Sequence, residues 1–544
     1  MKQYSGTKTA SLALVVGGLA FLFSGGRWNC WITAWLWPAA FLFFSRRAKT
    51  GKQLLPLMAV IAAGTVIKWW NVLQGSVLLS ALLCLVWSLF WSLPFVLEWL
   101  LRSCCEKDSL TRKQRRGRCS LLKGVAETFL FPALFVTTEF LRSFVFAGSL
   151  GILAYSQTGI LPLVQVVSLV GSYGLSFLIC WFGSVLVSAL ERDTGWRVTI
   201  TIYGGLLAAV LLFGSLRLAQ APSEYDSTVT TASVISPYYR QFSDGEYEIF
   251  PLQESEEYLI SQVERAAREG AVIACWNEEA FTILDGEEQE FLILAENLSS
   301  QYGMTMLLGY EMPDTDNSEE GLSVNKLVIL TPEGNRTEYV KTHLVPVMET
   351  LDFVKGSGNL PTVVTEEAVI SAAICFDDLY VSYIHGFGAE TNEHFRDTEL
   401  LFIPSWDWHS VENAHSDASE FRAVENGFSL VKPSYDGIST AVDPYGRVIR
   451  RFDTEDTGFD TVQLAEIPVM RVHTFYSEYG TFIDLLFLCM GLLMILIRIP
   501  SVFRVTGRRK YSVCLLQYIK DRTSVFSGVH EKEIKHGNNS HCGG

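Results

Sequence analysis

The chain has 544 residues, 49% of them hydrophobic, and a formal net charge of −15. That length holds more than one domain, and the apolar residues gather in roughly the first 215 positions and again near 482–500. Such clustering excludes a chain that works wholly in water, and neither a phosphate-binding glycine loop nor a basic nucleic-acid footprint is present.

Eight apolar stretches are long enough to be read as membrane spans, for which about 20 residues are needed. They cover roughly 9–25, 28–45, 53–70, 76–100, 123–146, 163–190, 197–216 and 482–500. The first and third are the shortest. Lys2 and Lys8 precede the first, as in a secretory signal, but no small-residue cleavage site follows and further spans come at once, so it reads as a helix. Cations set the orientation, because cationic loops stay on the cytoplasmic side. Arg46, Arg47, Lys49 and Lys52 follow the second span. Lys107, Arg112, Lys113, Arg115, Arg116 and Arg118 crowd the loop before the fifth, Arg192 and Arg197 flank the next inner turn, and Arg508, Arg509 and Lys510 follow the last span. All fall on one side if the N-terminus is inside. The expected organisation is a membrane domain of seven spans over 1–217, an outer domain over 218–480, a final span over 481–502 and a cytoplasmic basic tail over 503–544 with little fixed structure.

The charge balance agrees with that division. Residues 218–480 carry 47 acidic and 14 basic side chains, a net −33, against +18 for the rest. Glu139 and Arg142 lie inside a span, where charge is costly, so they are expected to pair with each other or to face a cavity.

Within 225–470, strand and helix patterns alternate. TVTTASVIS reads as a strand, SEEYLISQVERAAREG as an amphipathic helix, AVIACW as a buried strand, QEFLILAENLSSQYG as a helix, and MTMLLGYE and NKLVILTPEG as strands. AVISAAICFDD and TELLFIPSW are further strands. HSDASEFRAVENG is a helix, and FSLVKPS with GISTAVDPYGRVIRRF closes the domain as strands around a turn. This alternation predicts a layered α/β domain.

Three apolar strands end in reactive groups: Trp276-Asn277-Glu278-Glu279, Lys341-Thr342-His343-Leu344-Val345-Pro346 with Glu349 nearby, and Ile374-Cys375-Phe376-Asp377-Asp378. Strand ends of a layered α/β domain gather into one crevice. Of eleven cysteines only Cys275 and Cys375 fall in the outer domain, which is no disulfide framework. Covalent acyl transfer needs a nucleophile, a base and a group to offset charge on the attacked carbonyl. Cys375, Glu278 and Lys341 supply those types. Strand alternation predicts that Glu278 and Glu279 face opposite ways, so that only one serves. His343 reads as structural. Asp407, His409 and His415 have no zinc spacing with cysteine, and no metal or other cofactor is expected.

The order W-x-E, K-x-H-L-V-P and a cysteine after an apolar strand resembles the nitrilase superfamily. KTHLVPVMET is similar to the apolipoprotein N-acyltransferases, as are FPALFVTTEFLRSFVFAG, YSQ and VSLVGSYGLSFL in the membrane part. The resemblance implies a multi-pass helical membrane domain plus a nitrilase-like αββα sandwich. It implies Glu278 as general base, Lys341 as transition-state stabiliser, Cys375 as nucleophile and Glu349 as the residue that orients the lysine, with Asp377 in a supporting position. It also implies a phospholipid acyl donor, a diacylated lipoprotein acceptor, a cell inner membrane location with the catalytic domain on the periplasmic or extracellular side, and a monomer. Trp406 and Trp408 are candidates for a lid or for acyl contact. The sequence departs from the family at Asn277, Asp377, Val347-Met348, Ser405–His409 and the first strand, positions that surround the pocket without deleting its three central residues. Two alternatives stay open: a membrane-anchored amidase with the same triad, and a degenerate homologue that only binds.

Overall fold

The computed structural model describes residues 2–507, apart from 74–75, 110–118, 146, 238, 242–246, 250, 315–320, 387–393 and 455–459. The cationic residues at 112–118 and the tail beyond 507 lie outside the described residues. Each of the eight apolar stretches carries a helix: Lys2–Leu22, Thr33–Ser45, Leu55–Lys68, Val77–Ser109, Leu130–Ser143, Val167–Glu191, Trp196–Gln220 and Phe475–Gly507. Six helical segments among the described residues are long and apolar enough to cross a membrane: Gly51–Lys68, Val77–Ser103, Gly124–Ser143, Val167–Glu191, Trp196–Gln220 and Phe475–Arg498.

The reading of 28–45 as a full span needs correction. Trp28–Asn29 pairs with Ser24–Gly25 as a short antiparallel ladder, and the helix begins only at Thr33 and has 13 residues. At 1.5 Å per residue it extends about 20 Å, short of a hydrocarbon core of about 30 Å. The first helix, Lys8–Leu22 by its apolar part, is also below crossing length, whereas the third is not. Glu139 and Arg142 take the cavity alternative. They line a small cavity with Trp91, Phe135 and Thr138. The guanidinium of Arg142 sits over the rings of Trp87 and Trp91 at 5.2 and 5.8 Å, and Glu139 accepts a hydrogen bond from Leu153 N at 2.8 Å.

The outer domain is built on two sheets. One has the strand order 336–340, 323–330, 305–313, 273–276, 228–235, 461–468, with 281–282 pairing on 305–313. The other runs 362–364, 369–372, 400–402, 429–432, 438–442, 448–453. Strands 228–235, 273–276 and 305–313 are parallel, and helices Leu252–Arg268 and Glu288–Tyr302 make the crossovers between them. Period-two alternation decides what each face buries. Ile273 and Cys275 join a core shared with Ile370, Ala372, Leu400 and Phe402 of the second sheet. Ala274 and Trp276 turn the other way, onto Leu259, Val263 and Phe291 of the crossover helices. On the second sheet Leu401 and Leu430 face Ala423 of helix Glu412–Asn426. Helix, sheet, sheet, helix is the αββα sandwich.

The core between the sheets is continuous with that of the membrane helices, through Cys375, Phe376 and Leu379 to Trp87, Leu150 and Leu153. Buried polar bonds fasten the junction. Glu425 accepts from Ser172 N at 2.8 Å, and Arg422 pairs with Glu425 at 3.0 Å and donates to Tyr155 Oη at 2.7 Å. Beside Ser172 the helix kinks at Gly171, φ 66°. A Cβ there would stand 2.2 Å from the Tyr476 ring, so only glycine admits the final helix at this approach.

Candidate active site

Strand 273–276 ends against its neighbour, and Asn277 fixes the backbone just beyond it. Its Oδ1 accepts from Ser236 N at 2.8 Å and its Nδ2 donates to Glu278 O at 2.8 Å. Glu278, 2% exposed, is then held by three donors. Lys341 Nζ reaches Oε1 at 2.6 Å, Asn325 Nδ2 reaches it at 2.8 Å, and Trp406 N reaches Oε2 at 2.8 Å.

Alternation would send Glu279 to the opposite face. Instead the strand stops at Trp276 and Glu279 takes φ 50°, so its Oε1 also accepts from Asn325 Nδ2, at 2.9 Å. Both carboxylates therefore face one amide, but only Glu278 also receives Lys341 and Trp406. Burial and the charge of Glu278 push the Glu279 carboxyl well above the usual carboxylate range.

Lys341 follows strand 336–340 and is fully buried. Its ammonium lies 2.6 Å from Glu278 and 2.6 Å from Glu349. Burial works against its charge, but the two carboxylates outweigh that and hold it well above the ordinary lysine value. Glu349 reaches back through Oε2 to Val345 N at 2.8 Å, so the 345–349 loop is tied to the lysine it carries. Burial raises the Glu349 carboxyl, opposed by Lys341.

Cys375 comes from the other sheet. It opens a single 3₁₀ turn, Cys375–Leu379, and has φ 43°, a left-handed conformation that a non-glycine residue holds only where its surroundings enforce it. Its N–H donates to Pro404 O at 2.9 Å, and Sγ lies 3.8 Å from Trp406 O. Burial and the Glu278 carboxylate push the thiol well above its ordinary value, and Lys341 pulls it down. The thiol thus stands within electrostatic reach of both Glu278 and Lys341.

Asp377 does not touch the lysine. It caps the cysteine turn, accepting from Ile374 N at 3.1 Å, and also takes Tyr339 Oη at 2.6 Å and His343 N at 2.7 Å. His343 completes that brace, its ring stacked on Tyr380 at 3.8 Å. Trp408 lines an apolar cavity beside Cys375. Val72, Leu73, Leu83, Trp87 and Leu150 of the membrane domain and Val345, Phe376, Leu379 and Val411 of the outer domain form most of its apolar wall. Trp406 packs its ring edgewise on Tyr435 at 5.2 Å, so its contribution to the site is the backbone N–H on Glu278.

Sequence reasoning missed two features. Asn325, the amide shared by both glutamates, carried one faint signal: a polar residue opening an apolar strand. The other is a buried network in which Asp407 accepts from Lys432 and Ser434 and meets His415 Nδ1 at 2.5 Å. His415 Nε2 lies 2.9 Å from Asp378. Atoms of Cys375, Asp407 and His415 stand within 4.8 Å of one another, a spacing that suits a metal ion. The partners already present argue against one, because both imidazole nitrogens are taken by carboxylates and an ammonium neutralises Asp407.

Two family profiles match the chain: the apolipoprotein N-acyltransferase N-terminal domain over residues 17–185 and the carbon-nitrogen hydrolase over residues 252–475. A solved amidase from Nesterenkonia sp. aligns over 46% of this chain and 92% of its own, at 16% identity and a TM-score of 0.36. An apolipoprotein N-acyltransferase from Rickettsia typhi is 22% identical over 66% of this chain and 73% of its own length. One from Shewanella oneidensis is 25% identical over 78% and 80%. With one profile on the membrane helices and the other on the αββα sandwich that bears Glu278, Lys341 and Cys375, the chain is similar over both of its domains to the apolipoprotein N-acyltransferases.

Proposed function

We propose that this protein moves a fatty acyl chain from a phospholipid, through a thioester on Cys375, to the α-amine of the diacylglyceryl-cysteine at a lipoprotein N-terminus. Sulfur attacks the ester carbonyl and Glu278 takes the thiol proton. Lys341, kept charged by Glu278 and Glu349, offsets the negative charge on the carbonyl oxygen. The lysophospholipid alkoxide leaves with the proton from Glu278. In the second half the lipoprotein amine attacks the thioester, Glu278 takes the amine proton, and it returns to sulfur as the amide forms. Glu349 orients the lysine and Asp377 steadies the cysteine turn.

The observation that carries this reading is the position of Cys375 at an apolar cavity walled by both domains. A small polar amide has no use for membrane helices in its pocket, whereas an acyl chain does, and Trp87, Phe376 and Trp408 stand in its wall. Holding donor ester and thiol together at lipid height removes several kcal/mol, about 7–11 at most, from the barrier. The names of the related proteins support N-acylation of a lipoprotein. The domain division at 217, 480 and 502, the placement of the catalytic domain on the periplasmic or extracellular side, and the monomeric state belong to the proposal. The cation distribution of the loops supports the sidedness.

The test is a phospholipid carrying a labelled acyl chain, incubated with purified protein and analysed by mass. Label on Cys375 that moves to a lipopeptide amine is expected, and Cys375→Ala should lower transfer by at least about 10⁴-fold. Release of label only as free fatty acid overturns the transferase in favour of a hydrolase. Absence of label, with parent and Cys375→Ala alike, overturns both.

A further inference from the structure

The turn that carries Cys375 has two consecutive carboxylates, and they are gripped from opposite sides. Asp377 is engaged by Tyr339, His343 and the turn's own backbone. Asp378, fully buried, is engaged by Ser419 Oγ and by His415 Nε2. His415 stands on helix Glu412–Asn426 and is itself 3% exposed. Its other nitrogen meets Asp407 Oδ1.

Asp407 belongs to the segment that both catalytic partners lean on. Cys375 N donates to Pro404 O, Trp406 N donates to Glu278, and Cys375 Sγ lies against Trp406 O. Asp407 N is pinned to Tyr435 O at 3.0 Å and its Oδ2 takes Lys432 and Ser434. One imidazole thus joins the nucleophile's turn to the strand end that donates to the base.

We infer that His415 is a positioning residue: a charged clamp between Asp378 and Asp407 that fixes how the Cys375 thiol stands toward the Glu278 carboxylate. It touches no substrate. With both nitrogens donating, the ring is an imidazolium, and a neutral ring satisfies only one of the two carboxylates. The groups that face it are Asp407 and Lys432 from the second sheet, Asp378 and Cys375 from the cysteine turn, and Tyr155 of the membrane domain, whose phenol lies near Asp378. Burial opposes its charge, but Asp407 and Asp378 outweigh burial and Lys432 and raise it to about 9. The clamp is therefore whole below the free imidazole value and is lost as pH rises through about 9.

The inference deepens the proposed reaction and rests on Cys375 and Glu278 acting there, but its primary test needs no acyl transfer. In the full-length protein, the rate at which iodoacetamide alkylates Cys375 is measured against pH for parent and His415→Gln, together with kcat and donor KM. Expected for His415→Gln are alkylation and kcat lower by tenfold or more, an unchanged donor KM, and loss of the change in kcat near pH 9. Asp378→Asn in the same chain, which lets a neutral amide pair with a neutral amide, should restore part of the alkylation rate. Parent-like alkylation and pH profile in His415→Gln, or a change in KM alone, overturns the clamp. If His415→Gln does not fold, Ser419→Ala decides, because it frees one Asp378 oxygen and changes no charge. It should slow alkylation in the same direction by severalfold, and an unchanged rate overturns the inference. A parent that alkylates as expected but transfers no acyl group leaves the clamp standing and sinks the proposed reaction instead.

Discussion

The two sheets of the outer domain deliver reactive groups by opposite means. The seven-stranded sheet contributes Glu278, Lys341 and Asn325 as a buried set in which every charge is already paired. The six-stranded sheet contributes Cys375 on a strained turn, its thiol pushed up by burial, at the edge of an apolar cavity. Ions survive burial only with partners, and in the first set Lys341 is paired with both Glu278 and Glu349. A thiol carries no such requirement and can wait beside hydrocarbon. In the proposed reaction, charge appears on sulfur as Glu278 takes its proton. The difference teaches that reactivity here is a property of how the sheets are registered, more than of any one side chain.

The most disruptive way to break the comparison is Lys341→Met. It leaves Glu278 and Glu349 facing each other in the interior without a cation. Removing one partner of a buried pair costs about 3–5 kcal/mol, and losing the group that offsets the oxyanion costs about 10²–10³-fold in rate. Thermal unfolding should shift down and acyl transfer should fall together. Adding Glu349→Gln should recover stability but not transfer. A Lys341→Met protein as stable as the parent would mean that the seven-stranded sheet does not hold its charges as a set.

Much of this arrangement was legible from the residues. The short unbroken apolar runs AVIACW and TELLFIPSW marked strands, because such a run is a local property of the chain. The apolar stretches fell on helices for the same reason. The features that escaped depend on distant partners or on single backbone angles. The ladder of Ser24–Gly25 with Trp28–Asn29 shortens the second helix although the hydropathy runs on. The φ of Glu279 brings a second carboxylate onto Asn325 against the strand rule. Asp407 and His415, eight positions apart, have no meaning as a pair until Asp378 and Lys432 arrive from other elements.

A milder change sharpens the role of the shared amide. Asn325→Leu keeps the branching and heavy-atom count of the side chain but removes the donor to Glu278 and Glu279. A buried acceptor left without its donor costs about 1–3 kcal/mol. Glu279 loses its amide donor, while Glu278 keeps Lys341 and Trp406. Transfer should therefore fall by about tenfold, well short of the loss from Lys341→Met, with unfolding shifted by the same order of energy. A loss as large as that of Lys341→Met would show that the amide, and not the lysine, organises the set.

The smallest effect should come from the apolar side. Trp408 lines the cavity beside Cys375, whereas Trp406 two positions earlier packs on Tyr435 and serves through its backbone. Trp408→Ala opens space where the acyl chain is proposed to lie and leaves every charged contact in place. One methylene in an apolar pocket discriminates by about 1–3 kcal/mol, so the preference among donor chain lengths should shift by about tenfold toward longer chains, with kcat on the best chain close to that of the parent. Trp406→Ala keeps its N–H on Glu278 and should leave the chain preference where it was. Measuring donor KM for a series of chain lengths in both variants separates the two tryptophans. Equal shifts in both would mean that the cavity wall is loosened as a whole, and that the six-stranded sheet does not present the thiol to a shaped pocket.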